Sequence, residues 1–280
     1  MVCSRHSLAT TSMSPHLGMF WTTGITWLND LWQYDIETSR WTCIQESSGT
    51  TRGNDSSNAA VGDTADDLVG PSRRFGYVAV VIEGTTQAQG RKLVLWGGFD
   101  GNRWLQDTWE YVFATSTWTE IQAKGPTPSA RSCPAWAKDG NVIYIQGGYD
   151  GMERKSDFFA MDLNTYTWTE LPCRGSPPSP RYFHACCLHG NRLYCYGGYS
   201  GTERLADMYS YDFSTHHWSV VDCSSHDAPS GRSSLVAQYV FRPCFQETSS
   251  HDLSSYRVYN NSLFVFGGYN GSTVLNDFYS

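Results

Sequence analysis

The sequence predicts an all-β fold, a row of short four-stranded sheets with one sheet per repeat. Three observations predict it. Gly-Gly recurs at Gly97-Gly98, Gly147-Gly148, Gly197-Gly198 and Gly267-Gly268, each pair closing a short apolar run. Each pair is followed by an aromatic residue, a small polar residue and a third glycine at Gly101, Gly151, Gly201 or Gly271. The second glycine of each pair stands nine residues before Asp107, Asp157, Asp207 or Asp277, and three of these stand eleven before Trp118, Trp168 and Trp218. A register held through four copies is the mark of a repeat architecture. The composition agrees: 15% aromatic residues, 26 glycines and only 17% charged residues suit strands and tight turns.

Each repeat opens with Pro-Ser-x-Arg, ending at Arg74, Arg131, Arg181 and Arg232. Proline and the residue before it favour extended or turn backbone, so this is a loop entering a strand. The first strand follows, as at Phe75 to Ile82 or Phe183 to His189. The second starts at Asn-x-apolar, as at Asn141-Val142-Ile143 and Asn191-Arg192-Leu193, and ends on the glycine pair. The third starts at the aspartate, and the fourth is centred on the tryptophan. Such a sheet has two faces to bury and is not stable alone; stacking each against its neighbour buries both and removes most edges.

The copies divide the chain into 1–45, a degenerate or partial first unit; 46–70, a polar insertion expected to be disordered; and 71–280, the repeats, starting near 71, 128, 178 and 229. In the first unit Asp30 and Trp41 keep the eleven-residue spacing, but Phe20-Trp21 stands where the glycine pair belongs. Gly24 matches the third glycine, and Arg5-His6-Ser7 reads as a decayed first-strand start. The last unit stops inside its third strand, so its tryptophan strand is missing. Either the N-terminal half-unit supplies that strand or the chain is a slice of a longer protein. Two further insertions, Glu83 to Gly90 and Phe241 to Tyr259, lengthen first-to-second strand turns.

The 280 residues carry a net charge of −7 with a pI near 5.6, which argues against a nucleic-acid binder. Nine cysteines, an odd number with no C-x-x-C pair, read as thiols in a reducing compartment. Met1 to Pro15 lacks an apolar h-region, and the longest apolar run, Tyr77 to Ile82, is too short to span a bilayer. The expectation is a cytoplasmic protein with no membrane or nucleic-acid partner.

With arginine, glycine pair, aspartate and tryptophan all in register, residues 71–280 resemble the kelch-repeat β-propeller family. The resemblance implies a propeller, possibly incomplete, of about five visible repeats, acting as a protein-interaction scaffold or adaptor. It also implies, as an alternative, the substrate-recognition part of a ubiquitin ligase. In substrate-binding relatives, arginines at this place in the motif line the ligand pocket, often for acidic peptides. That makes Arg74, Arg131, Arg181 and Arg232 candidate partner contacts, since a guanidinium fork binds carboxylates bidentately. The competing reading pairs each with a carboxylate or carbonyl within the repeats.

The remaining candidates follow the third glycine, in loops that differ between repeats: Arg103, Trp104, Arg154, Lys155 and Arg204. They add cations and an aromatic anchor to the same face. The tryptophans, Trp41 included, are expected in the core, and the aspartates are expected to cap turns. No metal, cofactor or catalytic group is expected. Some kelch enzymes use a copper site of tyrosines, histidines and a cysteine, and the histidines here show no repeat-linked arrangement. Others hold iron through Glu-x-x-x-Asp-x-x-x-His; here Glu153, Asp157 and Glu203, Asp207 end in Met161 and Tyr211. A metal-dependent enzyme is therefore the weakest of the three readings.

Overall fold

The computed structural model describes residues 7–10, 29–35, 37–45, 70–83, 90–224, 228–234, 236–239 and 263–279. The insertion at 46–70, except its last residue, and the insertion at 241–259 lie outside them, as do 84–89, Arg5-His6, Phe20-Trp21 and Gly24. The described residues form nineteen strands and no helix.

The chain divides into two compact units, 1–103 with 107–122, and 104–106 with 123–280. The first holds two sheets. One is β1 (Ser7–Thr10), β2 (Leu31–Asp35) and β3 (Arg40–Gln45); the other is β4 (Val78–Glu83), β5 (Arg91–Phe99), β6 (Trp104–Val112) and β7 (Thr117–Ile121). Ser7 stands opposite Asp35 as Val142 stands opposite Asp162 in a complete repeat. The N-terminal segment thus takes the second-strand place, which corrects its reading as a first-strand start. Leu31, Leu93 and Tyr111 form the core between these two sheets.

The second unit holds three sheets. The first is β8 (Ala135–Asp139), β9 (Val142–Tyr149), β10 (Arg154–Asp162) and β11 (Thr167–Glu170). The next contains β12 (Arg174–Gly175), β13 (Ala185–His189), β14 (Arg192–Tyr196), β15 (Met208–Asp212) and β16 (His217–Val221). The last contains β17 (Val236–Tyr239), β18 (Leu263–Tyr269) and β19 (Val274–Tyr279). All ladders are antiparallel except β12, which lies parallel on β16 and makes that sheet five-stranded. Lys124 makes the same parallel contact with Thr167, so the connection out of one sheet clips the outer strand of the next.

The first strands β8, β13 and β17 stand side by side, and backbone hydrogen bonds link successive repeats at their inner ends. Gly148 N donates to Arg181 O at 2.9 Å, and Gly198 N to Arg232 O at 2.8 Å. Phe183 N donates to Cys133 O at 3.1 Å, and Ser234 N to Phe183 O at 2.8 Å. Cys133, Phe183 and Ser234 each stand two residues after a leading arginine with φ between 52° and 59°. A side chain held there costs about 1–2 kcal/mol, and the two carbonyl bonds offset that.

The tryptophans keep register: Trp41 faces Tyr34, Trp118 faces Tyr111, Trp168 faces Met161 and Trp218 faces Tyr211 across the third and fourth strands. Their burial differs with their neighbours. Trp168 and Trp218 are 1% exposed, and Trp118 is half-buried with Nε1 donating to Gln45 Oε1 at 2.7 Å. Trp218 packs with Phe158 of the preceding sheet and with Leu193, Cys195 and Tyr211 of its own. Trp41 is 56% exposed, which corrects its expected place in the core. Tyr34 covers one side of it, at 4.9 Å between ring centres.

Candidate functional site

The leading arginines are buried within their own repeats. Arg74, Arg131, Arg181 and Arg232 are at most 5% exposed, and one pattern of five donors serves all four. Nε donates to the carbonyl of Ser72, Ser129, Ser179 or Ser230 at 3.0 Å. Nη1 donates to the first glycine carbonyl, at Gly97, Gly147, Gly197 or Gly267, at 2.9–3.0 Å. Nη2 donates to the same serine's Oγ at 2.8–3.3 Å. The Nη pair also grips Asp107, Asp157, Asp207 or Asp277 as a fork, with Nη2 to Oδ2 at 2.8–3.0 Å. A guanidinium has five N–H groups, and all are used. This corrects the partner-contact reading of these four arginines: each ties its repeat's opening loop to the glycine pair and the third strand.

It also reassigns the aspartates, whose principal partner is an arginine rather than the turn backbone. The turns are capped instead by the small polar residue after the aromatic. Asp150 Oδ1 accepts Met152 N at 2.9 Å and Glu153 N at 2.8 Å, and Asp100, Ser200 and Asn270 do the same.

Two of these ion pairs, at Asp107 and Asp277, are expected to make stability acid-sensitive. Burial pushes the Asp107 carboxyl up, but the Arg74 hydrogen bond and charge outweigh it and leave it below the ordinary 3.8. The Arg232 hydrogen bond holds Asp277 below the same value. A carboxyl depressed in the folded state protonates first in the unfolded chain as pH falls. Its stabilisation is therefore present at neutral pH and is lost as pH drops from about 4 downward. Urea unfolding followed across that range is expected to show a falling midpoint, and Asp107→Asn is expected to be weaker at neutral pH with a flatter acid limb.

A different set of side chains comes together in the second unit. Trp104, Arg154 and Arg204 occupy the same register position, six residues past the second glycine, and each lies on the next repeat. The Trp104 ring covers Gly151, where an added Cβ would come within 2.2 Å of it. The Arg154 guanidinium covers Gly201 with the same clearance. Around them run the tyrosines. Trp104 meets Tyr149 edge-on at 5.6 Å, Tyr149 stacks on Tyr182 at 5.4 Å, and Tyr182 meets Tyr199 at 5.7 Å. Arg154 stands 5.5 Å over Tyr149, and Arg204 lies between Tyr199 at 4.3 Å and Tyr269 at 4.8 Å. The hydroxyls of Tyr149, Tyr199 and Tyr269 donate to the carbonyls of Gly151, Gly201 and Gly271 at 2.6–2.8 Å, fixing rings and loops together.

The charges on this strip are not equivalent. Lys155 is held by Asp150 at 2.7 Å and Glu153 at 2.5 Å, which raise its pKa and more than offset its charge. Arg154 and Arg204 make no ion pair among the described residues. Both side chains are half-buried, and Nε of each is shut away without a hydrogen-bond partner. Burial pushes the Tyr182 hydroxyl up, so it stays a neutral donor despite the Arg154 charge. Met152 projects beside them, 91% exposed. Arg103, in the first unit, is exposed and sits 3.5 Å from Asp100.

The sequence reading marked Trp104, Arg154 and Arg204 but missed the tyrosines. Tyr149, Tyr199 and Tyr269 are the aromatics after the glycine pair, so their shared register was the available signal. Tyr182 carries no such signal, because Phe75, Ser132 and Ser233 stand at its place in the other repeats. A second missed group is His184, Cys186 and Cys195, with ligand atoms within 4.8 Å of one another. Cys186 and Cys195 meet only through the register of β13 on β14.

The repeats are those of a family of protein-interaction modules. The chain belongs to the Kelch-repeat family: the KLHDC2/KLHL20/DRC7 Kelch-repeats domain matches residues 64–245, well over half of its 280 residues. No curated protein matches it. No helix among the described residues is long and apolar enough to cross a membrane.

Proposed function

We propose that this Kelch-repeat module binds an extended acidic segment of a partner protein along the strip formed by Arg154, Arg204 and their tyrosines. The observation that carries the proposal is the pair of guanidinium groups each held on an aromatic face and neither neutralised by a carboxylate among the described residues. Arginines stacked on aromatics are pre-organised, so little freedom is lost when a carboxylate docks. Tyr182 adds a hydroxyl donor, and Met152 and Trp104 add apolar contact at the ends, the anchor types that dominate interface energetics.

Binding of fluorescent peptides that differ only in the sign of their charge tests this. The acidic peptide is expected to bind, with an affinity that falls as salt rises. The Arg154→Glu/Arg204→Glu double variant is expected to weaken it by at least about tenfold, the effect of a reversed charge in a complementary interface. Equal binding of acidic and basic peptides, or an unaffected double variant, would refute the assignment.

A further inference from the structure

His184 stands just ahead of β13, while Cys186 and Cys195 face each other on β13 and β14. One ring nitrogen of His184 and the two Sγ atoms lie within 4.8 Å of one another, all buried. The partners of His184 settle which of its nitrogens keeps a lone pair free to ligate. Gln146, on the preceding sheet, donates its amide N–H to Ser156 O at 3.2 Å, so its Oε1 is left to accept. That oxygen lies 2.5 Å from His184 Nε2, which places the imidazole proton on Nε2. Nδ1 then keeps its lone pair, and it is buried with no hydrogen-bond partner among the described residues. His184 is only 6% exposed, so water does not compensate for the missing bond.

The ring is also locked. A Cβ on Gly147 would come within 3.0 Å of His184 Cε1, and one on Gly198 within 2.8 Å of His184 Cβ. A fixed imidazole with its second nitrogen bound to an amide is the outer-shell arrangement that orients a metal ligand. Two sulfurs and one imidazole make a soft donor set, the kind that selects Cu(I) or zinc. Structural zinc takes four ligands, and this group offers three among the described residues.

We propose that His184 Nδ1, Cys186 Sγ and Cys195 Sγ form a closed, three-coordinate site for Cu(I). Each thiol releases its proton to solvent as its sulfur takes the metal. The complex of two thiolates and one monovalent cation carries one negative charge.

The test is an anaerobic titration of the reduced chain with Cu(I) against a chromophoric Cu(I) chelator, with a parallel Zn(II) titration. One equivalent of Cu(I) is expected to be withheld from the chelator, and X-ray absorption is expected to show two sulfurs and one nitrogen. Cys186→Ser and Cys195→Ser should each weaken retention by at least about 100-fold, as expected for loss of a thiolate ligand. Gln146→Leu should weaken it by about 10–100-fold, the range for an outer-shell partner. Cys173→Ser, which removes an exposed thiol, should leave it unchanged. Should the serine variants fail to fold, alkylation of the wild type in mild urea gives an independent readout. Cu(I) is expected to shield Cys186 and Cys195 selectively. The site is overturned by failure to retain Cu(I), by retention that survives both serine substitutions, by preference for zinc, or by uniform alkylation.

Discussion

Arg181→Ala is expected to remove about 2–4 kcal/mol of unfolding free energy, chiefly from the buried hydrogen bonds to a charged group that it leaves unmade. The side chain is 1% exposed and holds three different groups at once: Asp207, the Gly197 carbonyl and the Ser179 loop. Without it, the glycine carbonyl and the serine backbone lose their donor, and Asp207 keeps its charge without its counter-ion. Lysine does not rescue the site, because one ammonium cannot reproduce a planar fork that reaches on both sides. Arg131→Ala should behave alike, since its bonds match donor for donor. Urea unfolding monitored by tryptophan fluorescence measures this directly. An Arg181→Ala chain that unfolds at the wild-type midpoint yet loses its partner would show that these arginines are ligands after all.

Gly151→Ala is expected to cost about 2–6 kcal/mol, from a backbone strain of about 1–3 kcal/mol and overpacking of similar size. The backbone there has φ of 96°, and the new Cβ would lie 2.2 Å from the Trp104 ring. The two causes separate in a double-mutant cycle. In a Trp104→Ala background the space is free, so Gly151→Ala should cost only its backbone strain, with a coupling of about 1 kcal/mol or more. Full additivity would mean that the indole does not rest on that glycine.

The sequence carried the fold because a repeat reports itself by register. The strands of the complete copies and the register of the tryptophans were legible. What eluded the reading depended on partners that register does not name. Arg181 and Asp207 were both marked, yet their 26-residue separation gives no sign that they meet. They meet because β13 and β15, on either side of β14, start at the same end of the sheet. Trp41 has the right spacing, but burial is set by the neighbouring sheet and not by the residue itself. The parallel clip of β12 on β16 rests on two residues, too few for a pattern. The candidate strip was half legible: its register residues were visible, whereas Tyr182 joins it only through stacking on Tyr149. His184, Cys186 and Cys195 match no metal spacing in sequence, because one strand pairing and one residue ahead of it bring them together.

The account's central claim is that recognition lies on the Arg154–Arg204 strip while the leading arginines hold the fold. Hydrogen–deuterium exchange of the whole chain, with and without a saturating acidic peptide, tests it most directly. Protection is expected in the loops at 150–155 and 200–205 and around Tyr182, with the outer strands β11 and β16 unchanged. Protection confined to those outer strands, with both loops exchanging as in the free chain, would contradict it.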